Sequence, residues 1–111
     1  MEISLEQFQA VDMRVGRIIE VEDFPEARTP SYKLKIDFGA DIGIKQSSAH
    51  LPPRYAKNEL IDRLVVAVVN FPPLRIAGFK SEVLVLGAIQ QDDSVILLQP
   101  DRESEIGAYI A

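Results

Sequence analysis

The chain has 111 residues, of which 47% are hydrophobic and 26% charged, so we expect a single folded domain spanning residues 1–111. It contains no cysteine and one histidine, which excludes disulfides and thiolate chemistry and gives no basis for predicting a metal site or another cofactor. The formal net charge of −5 argues against a dedicated nucleic-acid binder, although residues 28–80 carry nine Lys/Arg against four Asp/Glu.

The first residues predict a short helix. Ser4 and Gln7 have the spacing of a capping box, so a helix should follow Ser4 and end before Asp12. The acidic start lacks the basic and apolar regions of a signal peptide, and no apolar run approaches the length of a membrane span. We therefore expect a cytoplasmic protein without membrane insertion.

The rest of the chain predicts short strands. Residues 13–21 indicate a long first strand, in which Gly16 marks a bulge or a tight bend. Residues 32–38 alternate apolar and charged side chains, and residues 44–49 return as the second strand of a hairpin. A short helical excursion at 54–62 precedes an apolar strand at 64–69, buried on both faces.

Two further strands complete the pattern. Residues 82–86 and 95–98 are joined by a turn at Asp92 and Asp93, and the tail with Gly107, Tyr109 and Ile110 should close against the barrel. Five or six strands with one helical excursion between the third and fourth predict a small, closed, all-β barrel.

Only Ser48 and His50 suggest catalysis. They lie two residues apart on one predicted strand and so share a face. No G-x-S-x-G turn and no evident acid to orient the imidazole accompany them. We therefore predict that the chain is not an enzyme, and we interpret His50 as a surface or groove residue.

The hairpin at 32–49 carries Lys33, Lys35 and Lys45, with Ser48 alongside. Two interpretations fit this pattern equally well. The lysines and hydroxyls could line a ligand groove on the barrel, or they could form a solvated face that protects a sheet edge from aggregation.

The segment at 70–81 reads as a loop with unusually many large apolar residues. Phe71, Ile76 and Phe79 follow or flank two prolines, and Arg75 and Lys80 interleave with them. Loops seldom carry such groups unless they pack on the core or meet a partner. The interleaved cations favour a partner or ligand surface.

A second surface is predicted at residues 83–86, which are apolar on both alternating faces. A barrel interior covers only one face of a strand, so the N-terminal helix or a second subunit must cover the other. The predicted dimer interface comprises Phe8, Val83, Leu84, Val85 and Leu86.

Residues 12–18, 32–39 and 69–81 resemble, in order and spacing, the tRNA-binding OB domain appended to some aminoacyl-tRNA synthetases. Within that superfamily, residues 42–49 and 77–87 are similar to the CsaA family of secretion chaperones. The resemblance implies a five-stranded OB-fold barrel and a homodimer. It also implies that unfolded preproteins and the translocation ATPase SecA are partners, with tRNA as a further partner.

Two functions follow as hypotheses. The leading one is a chaperone that binds unfolded preproteins or peptides through Phe38, Phe71, Ile76 and Phe79. The alternative is tRNA binding on the basic face, and the residues predicted to contact tRNA or another charged ligand are Lys33, Lys35, Lys45, Ser48, Asn70, Arg75, Lys80 and Ser81. Glu82 places an acid beside the expected RNA site, which favours the chaperone.

Overall fold

The computed structural model describes residues 1–111 and shows a mostly β protein with two short helices. The helices are α1 (Leu5–Gln9) and α2 (Lys57–Leu60). The strands are β1 (Met13–Asp23), β2 (Tyr32–Asp37), β3 (Ile44–Ala49), β4 (Leu64–Val68), β5 (Leu74–Ile76), β6 (Phe79–Ser81), β7 (Leu84–Val85), β8 (Gly87–Ile89) and β9 (Val95–Leu97). The predicted all-β class, N-terminal helix and helical excursion between the third and fourth strands are confirmed. Neither helix has the length and apolar character needed to cross a membrane.

Five strands form one antiparallel sheet in the order β3-β2-β1-β4-β7, which curls into a nearly closed barrel. The seam lies between β3 and the chain from the end of β6 onward. There, Glu82 N–H donates to the Gln46 carbonyl at 2.8 Å, and Ser48 N–H donates to Ser81 Oγ at 3.1 Å. These bonds replace part of a regular ladder, and the result agrees with the predicted five-stranded OB-fold barrel.

Helix α1 begins at the predicted capping box. Ser4 Oγ accepts the Gln7 N–H at 3.1 Å, while the Gln7 side chain accepts the Ser4 N–H at 2.8 Å. Beyond the helix, Asn70 donates to the Ala10 carbonyl at 2.8 Å and accepts the Asp12 N–H at 3.0 Å. The Asn70 side chain therefore binds the N-terminal segment to the chain directly after β4.

Gly16 has a different role from the predicted one. The register shift in β1 lies between Ile18 and Glu20. A Cβ at Gly16 would lie 2.5 Å from Ile36 Cγ2 and 2.6 Å from the Phe38 ring. The missing side chain therefore lets β1 lie close to β2 and the core, and the prediction of a bulge at this position is wrong.

The barrel interior holds one apolar core, and two predicted surface residues belong to it. Phe38 is 1% exposed and continues the inward alternation of β2, which corrects its assignment to a peptide-binding surface. Val83 is 6% exposed and faces the core, which corrects its assignment to the dimer interface. The core cluster comprises Ile18, Tyr32, Leu34, Ile36, Phe38, Leu51, Leu60, Val65, Ala67, Val83 and Leu97.

The C-terminal third differs in detail from the prediction. The strand predicted at 82–86 has only two residues, β7, and the hairpin around the Asp92 turn is formed by β8 and β9. The Ser94 hydroxyl and N–H both donate to Asp92, and these bonds lower the pKa of its carboxyl group. In the tail, Gly107 N–H donates to the Val15 carbonyl at 2.7 Å, so the predicted closure against the barrel is confirmed.

Candidate ligand-binding face

Residues 74–81, predicted as a loop, form the β5–β6 hairpin. Leu74 pairs with Ser81 and Ile76 with Phe79, and the turn between them has positive φ angles at Ala77 (48°) and Gly78 (82°). Consecutive left-handed residues match the twist of a two-residue hairpin turn. The hairpin projects from the barrel beside β3 and borders two surface depressions.

The first depression is a mainly apolar cleft of about 390 Å³ between the β5–β6 hairpin and β7. Phe71, Leu74 and Leu84 on its walls are 51%, 63% and 50% exposed, respectively. The cleft is lined by Ser48, Phe71, Pro72, Leu74, Ile76, Ser81, Glu82, Val83 and Leu84. Its shape and lining suit apolar side chains of a ligand. We call it the hairpin cleft.

The second depression is lined by Phe79 of the hairpin and by residues of β1, β2 and β3, and it contains a lysine held over two aromatic rings. Lys33 Nζ lies 4.9 Å from the centroid of the Phe24 ring and 5.4 Å from that of Phe79. The two rings meet edge to face, with centroids 5.4 Å apart. The rings fix the ammonium group at the surface through cation–π contacts. We call Lys33, Phe24 and Phe79 the lysine–aromatic cluster.

The strand face around this cluster is not purely cationic. The register of β1 with β2 places Glu20 opposite Lys35 and Glu22 opposite Lys33, and the Lys35 and Glu20 side chains form a salt bridge at 3.1 Å. Lys45 pairs with Ile36, one position out of phase with Lys35, and so belongs to the other face. The prediction of one basic face formed by the three lysines is therefore wrong.

Ser48 and His50 both line a third cleft, of about 330 Å³, against β7 and β8. His50 Nδ1 contacts the Pro30 carbonyl oxygen, no hydrogen bond joins His50 to Ser48, and the cleft contains no Asp or Glu. An imidazole without an acid partner or a nucleophile in reach has no basis for nucleophilic catalysis.

Comparison with known proteins identifies the family. A family model described as a putative tRNA binding domain matches residues 13–109. The chain belongs to this family. A methionine–tRNA ligase of Thermococcus onnurineus is 36% identical over 108 residues, which are 97% of this chain but 14% of the ligase. The chain therefore spans about one seventh of that relative.

Two solved chaperone structures resemble this member of the putative tRNA binding domain family over its whole length. CsaA from Bacillus anthracis is 49% identical with a TM-score of 0.94, and each chain is covered completely. CsaA from Picrophilus torridus is 55% identical with a TM-score of 0.92 over 99% of this chain and 100% of the other. The description of the family names a binding domain and those of the two CsaA structures name chaperones, in agreement with the prediction of a protein that is not an enzyme.

Four of the residues predicted to contact tRNA or another charged ligand have unequal access to a ligand. Arg75 and Lys80 are exposed on the β5–β6 hairpin, where Arg75 also donates to the Gly78 carbonyl at 3.3 Å. Asn70 is exposed, but its amide is engaged at both ends by the backbone. Ser81 is buried, and its hydroxyl accepts the Ser48 N–H. Asn70 and Ser81 thus stabilise the fold of the putative tRNA binding domain, because their polar groups bind the protein's own backbone.

The predicted dimer residues fall in two places. Phe8 lies in an apolar groove formed by α1 and the C-terminal residues, whereas Leu84, Val85 and Leu86 line the cleft beside β3. Sequence reasoning missed Phe24 and left Leu74 out of the predicted site. The only feature of the sequence that points to Phe24 is that it is an aromatic residue close after the first strand.

Proposed function

We propose that the chain is a cytoplasmic, homodimeric, CsaA-type chaperone that binds unfolded preproteins or peptides in the hairpin cleft. The observation that carries this proposal is the cleft itself, where Phe71, Leu74 and Leu84 are half or more exposed on a barrel with a well-filled core. The two CsaA chaperones support it by their identity and coverage. Contact with SecA is proposed from the resemblance alone.

The cleft suits loose recognition of unfolded segments. Burying one large apolar side chain of a client contributes about 1.5–3 kcal/mol, and a cleft of this size accepts only a few of them. Much of that gain offsets the entropy lost on association, so binding should be weak and reversible. Because no ladder of directed hydrogen bonds is required, many sequences can bind, as a holding chaperone needs.

The test is aggregation of a chemically denatured client, followed by light scattering. The wild type should suppress scattering, and a Phe71→Ser/Leu74→Ser variant should lose most of the suppression because both exposed walls of the cleft become polar. Ile44→Ser is the matched control, since Ile44 is 57% exposed and lies outside the cleft. Equal thermal unfolding of all three proteins must accompany the comparison. Equal protection by the wild type and the double variant would contradict the proposal.

The second candidate function is tRNA binding. The lysine–aromatic cluster favours it, because a positive charge beside an aromatic ring can contact both phosphate and an unstacked base. The family description and the methionine–tRNA ligase relative support it as well. Against it, Glu20 and Glu22 flank the two lysines of β2. A salt titration, described in the Discussion, tests this candidate.

A further inference from the structure

We propose that Glu82 makes the hairpin cleft selective for apolar client segments that carry a lysine or arginine. The inference rests on the proposed function and names the class of client that the cleft prefers. Among the residues that line the cleft, Glu82 is the only one with a charged side chain. A ligand that fills the cleft therefore meets apolar walls and one carboxylate.

The position of this carboxylate is fixed by β3. Glu82 Oε1 accepts the Gln46 N–H at 3.1 Å, and the Glu82 N–H donates to the Gln46 carbonyl at 2.8 Å. Two bonds to one residue hold both the backbone and the side chain of Glu82 at the barrel seam. Its charge is therefore presented at a constant place and does not have to be ordered when a ligand binds.

No cationic side chain of the protein forms an ion pair with the Glu82 carboxylate. In contrast, Glu20, which lines the second depression, is paired with Lys35. A cationic side chain of the client would complete the missing pair, while its apolar neighbours occupy the walls formed by Phe71 and Leu74. An acidic client segment would meet like charge and lose affinity.

Glu82→Gln is the variant that isolates the charge. The glutamine oxygen can still accept the Gln46 N–H, so the seam is preserved while the negative charge is removed. Glu105→Gln is the matched control, because Glu105 is an exposed acid of the C-terminal tail outside the cleft.

The experiment uses two fluorescent peptides that are identical and apolar except for a central lysine in one and a central glutamine, which is polar but uncharged, in the other. Fluorescence anisotropy at low salt gives both dissociation constants. The wild type and Glu105→Gln should prefer the lysine peptide by about two- to fivefold, as for a partly exposed ion pair. Glu82→Gln should bind both peptides equally. Added salt should reduce the wild-type preference.

The outcomes separate the two proposals. If the wild type binds both peptides equally and Phe71→Ser/Leu74→Ser weakens both, the selectivity is overturned and the chaperone cleft is retained. If Glu82→Gln keeps the lysine preference, another residue provides it and the assignment to Glu82 is overturned. If neither peptide binds, the proposed function fails and the selectivity with it.

Discussion

At the scale of single residues, Gly16 shows how tightly the barrel is packed. Because Gly16 has no side chain, β1 can contact the Ile36 and Phe38 side chains, both of which are 1% exposed or less. A protein interior has the density of an organic crystal, so neither neighbour can move far without losing its own contacts. Even a small substitution at Gly16 should therefore lower the free energy of unfolding.

We predict that Gly16→Ala lowers the free energy of unfolding by about 2–3 kcal/mol, because one methyl group overpacks the core. Urea unfolding monitored by circular dichroism measures the loss. Gly43→Ala is the control: Gly43 has φ of 81° but no atom within 4 Å of the added carbon, so only backbone strain of about 1 kcal/mol applies. A smaller effect at Gly16 than at Gly43 would contradict the packing argument.

Residue roles were only partly predictable from the sequence. The alternation of β2 gave Tyr32, Leu34 and Ile36 their inward orientation, and the same parity would have placed Phe38 in the core. The role of Asn70 could not be predicted, because its hydrogen-bond partners lie 58 and 60 residues away along the chain. Local patterns indicate which face a side chain occupies, but they do not reveal such distant partners.

At the scale of elements, the β5–β6 hairpin is the main feature that the sequence did not predict. Pro72 and Pro73 just before it favour a loop, and its turn places Ala77 at φ of 48°, a conformation uncommon for a residue with a side chain. The hairpin nevertheless forms one wall of the hairpin cleft and supplies Phe79 to the lysine–aromatic cluster. The residue types at 71–81 thus predict a binding surface, whereas the hairpin that positions these residues could not be predicted from them.

Strands β8 and β9, and Leu98 directly after β9, expose large apolar residues outside the hairpin cleft, and the proposed homodimer would cover them. Ile89, Ile96 and Leu98 are 74%, 39% and 46% exposed, respectively. We predict that Ile89→Lys produces monomers. A two-fold contact would bury one such lysine from each subunit, and each charge would lose its hydration in an apolar interface. Sedimentation velocity should give about twice the 12.4 kDa chain mass for the wild type and for the control Ile44→Lys. A monomeric wild type, or a dimeric Ile89→Lys variant, would contradict this interface.

At the scale of the whole molecule, strand pairing decides the electrostatics of the binding face. Counting along the chain gave an excess of cations at residues 28–80. In the barrel, β1 lies beside β2, and its Glu20 and Glu22 come from outside that range to stand opposite Lys35 and Lys33. The closed β architecture was predictable from periodicity, but this neutralisation depends on the β1–β2 register. The binding face of the folded protein is therefore less basic than the charges of residues 28–80 alone would indicate.

This charge arrangement sets the strength expected of tRNA binding. Lys35 is paired with Glu20, so Lys33, Arg75 and Lys80 are the cations of the predicted site without a salt bridge near the lysine–aromatic cluster. Each phosphate neutralised contributes a slope of about −0.7 to −0.9 to the log–log dependence of affinity on salt. Titration with bulk tRNA over a series of salt concentrations should therefore give a slope of about −2 to −3.

Single substitutions then locate the contact. Lys33→Ala should make that slope shallower by about one phosphate, because it removes the cation held over Phe24 and Phe79. Lys57→Ala is the control and should leave the slope unchanged, since Lys57 is paired with Asp23 at 2.9 Å. Absence of binding at low salt would eliminate tRNA as a ligand. An unchanged slope for Lys33→Ala would place any RNA contact away from the cluster.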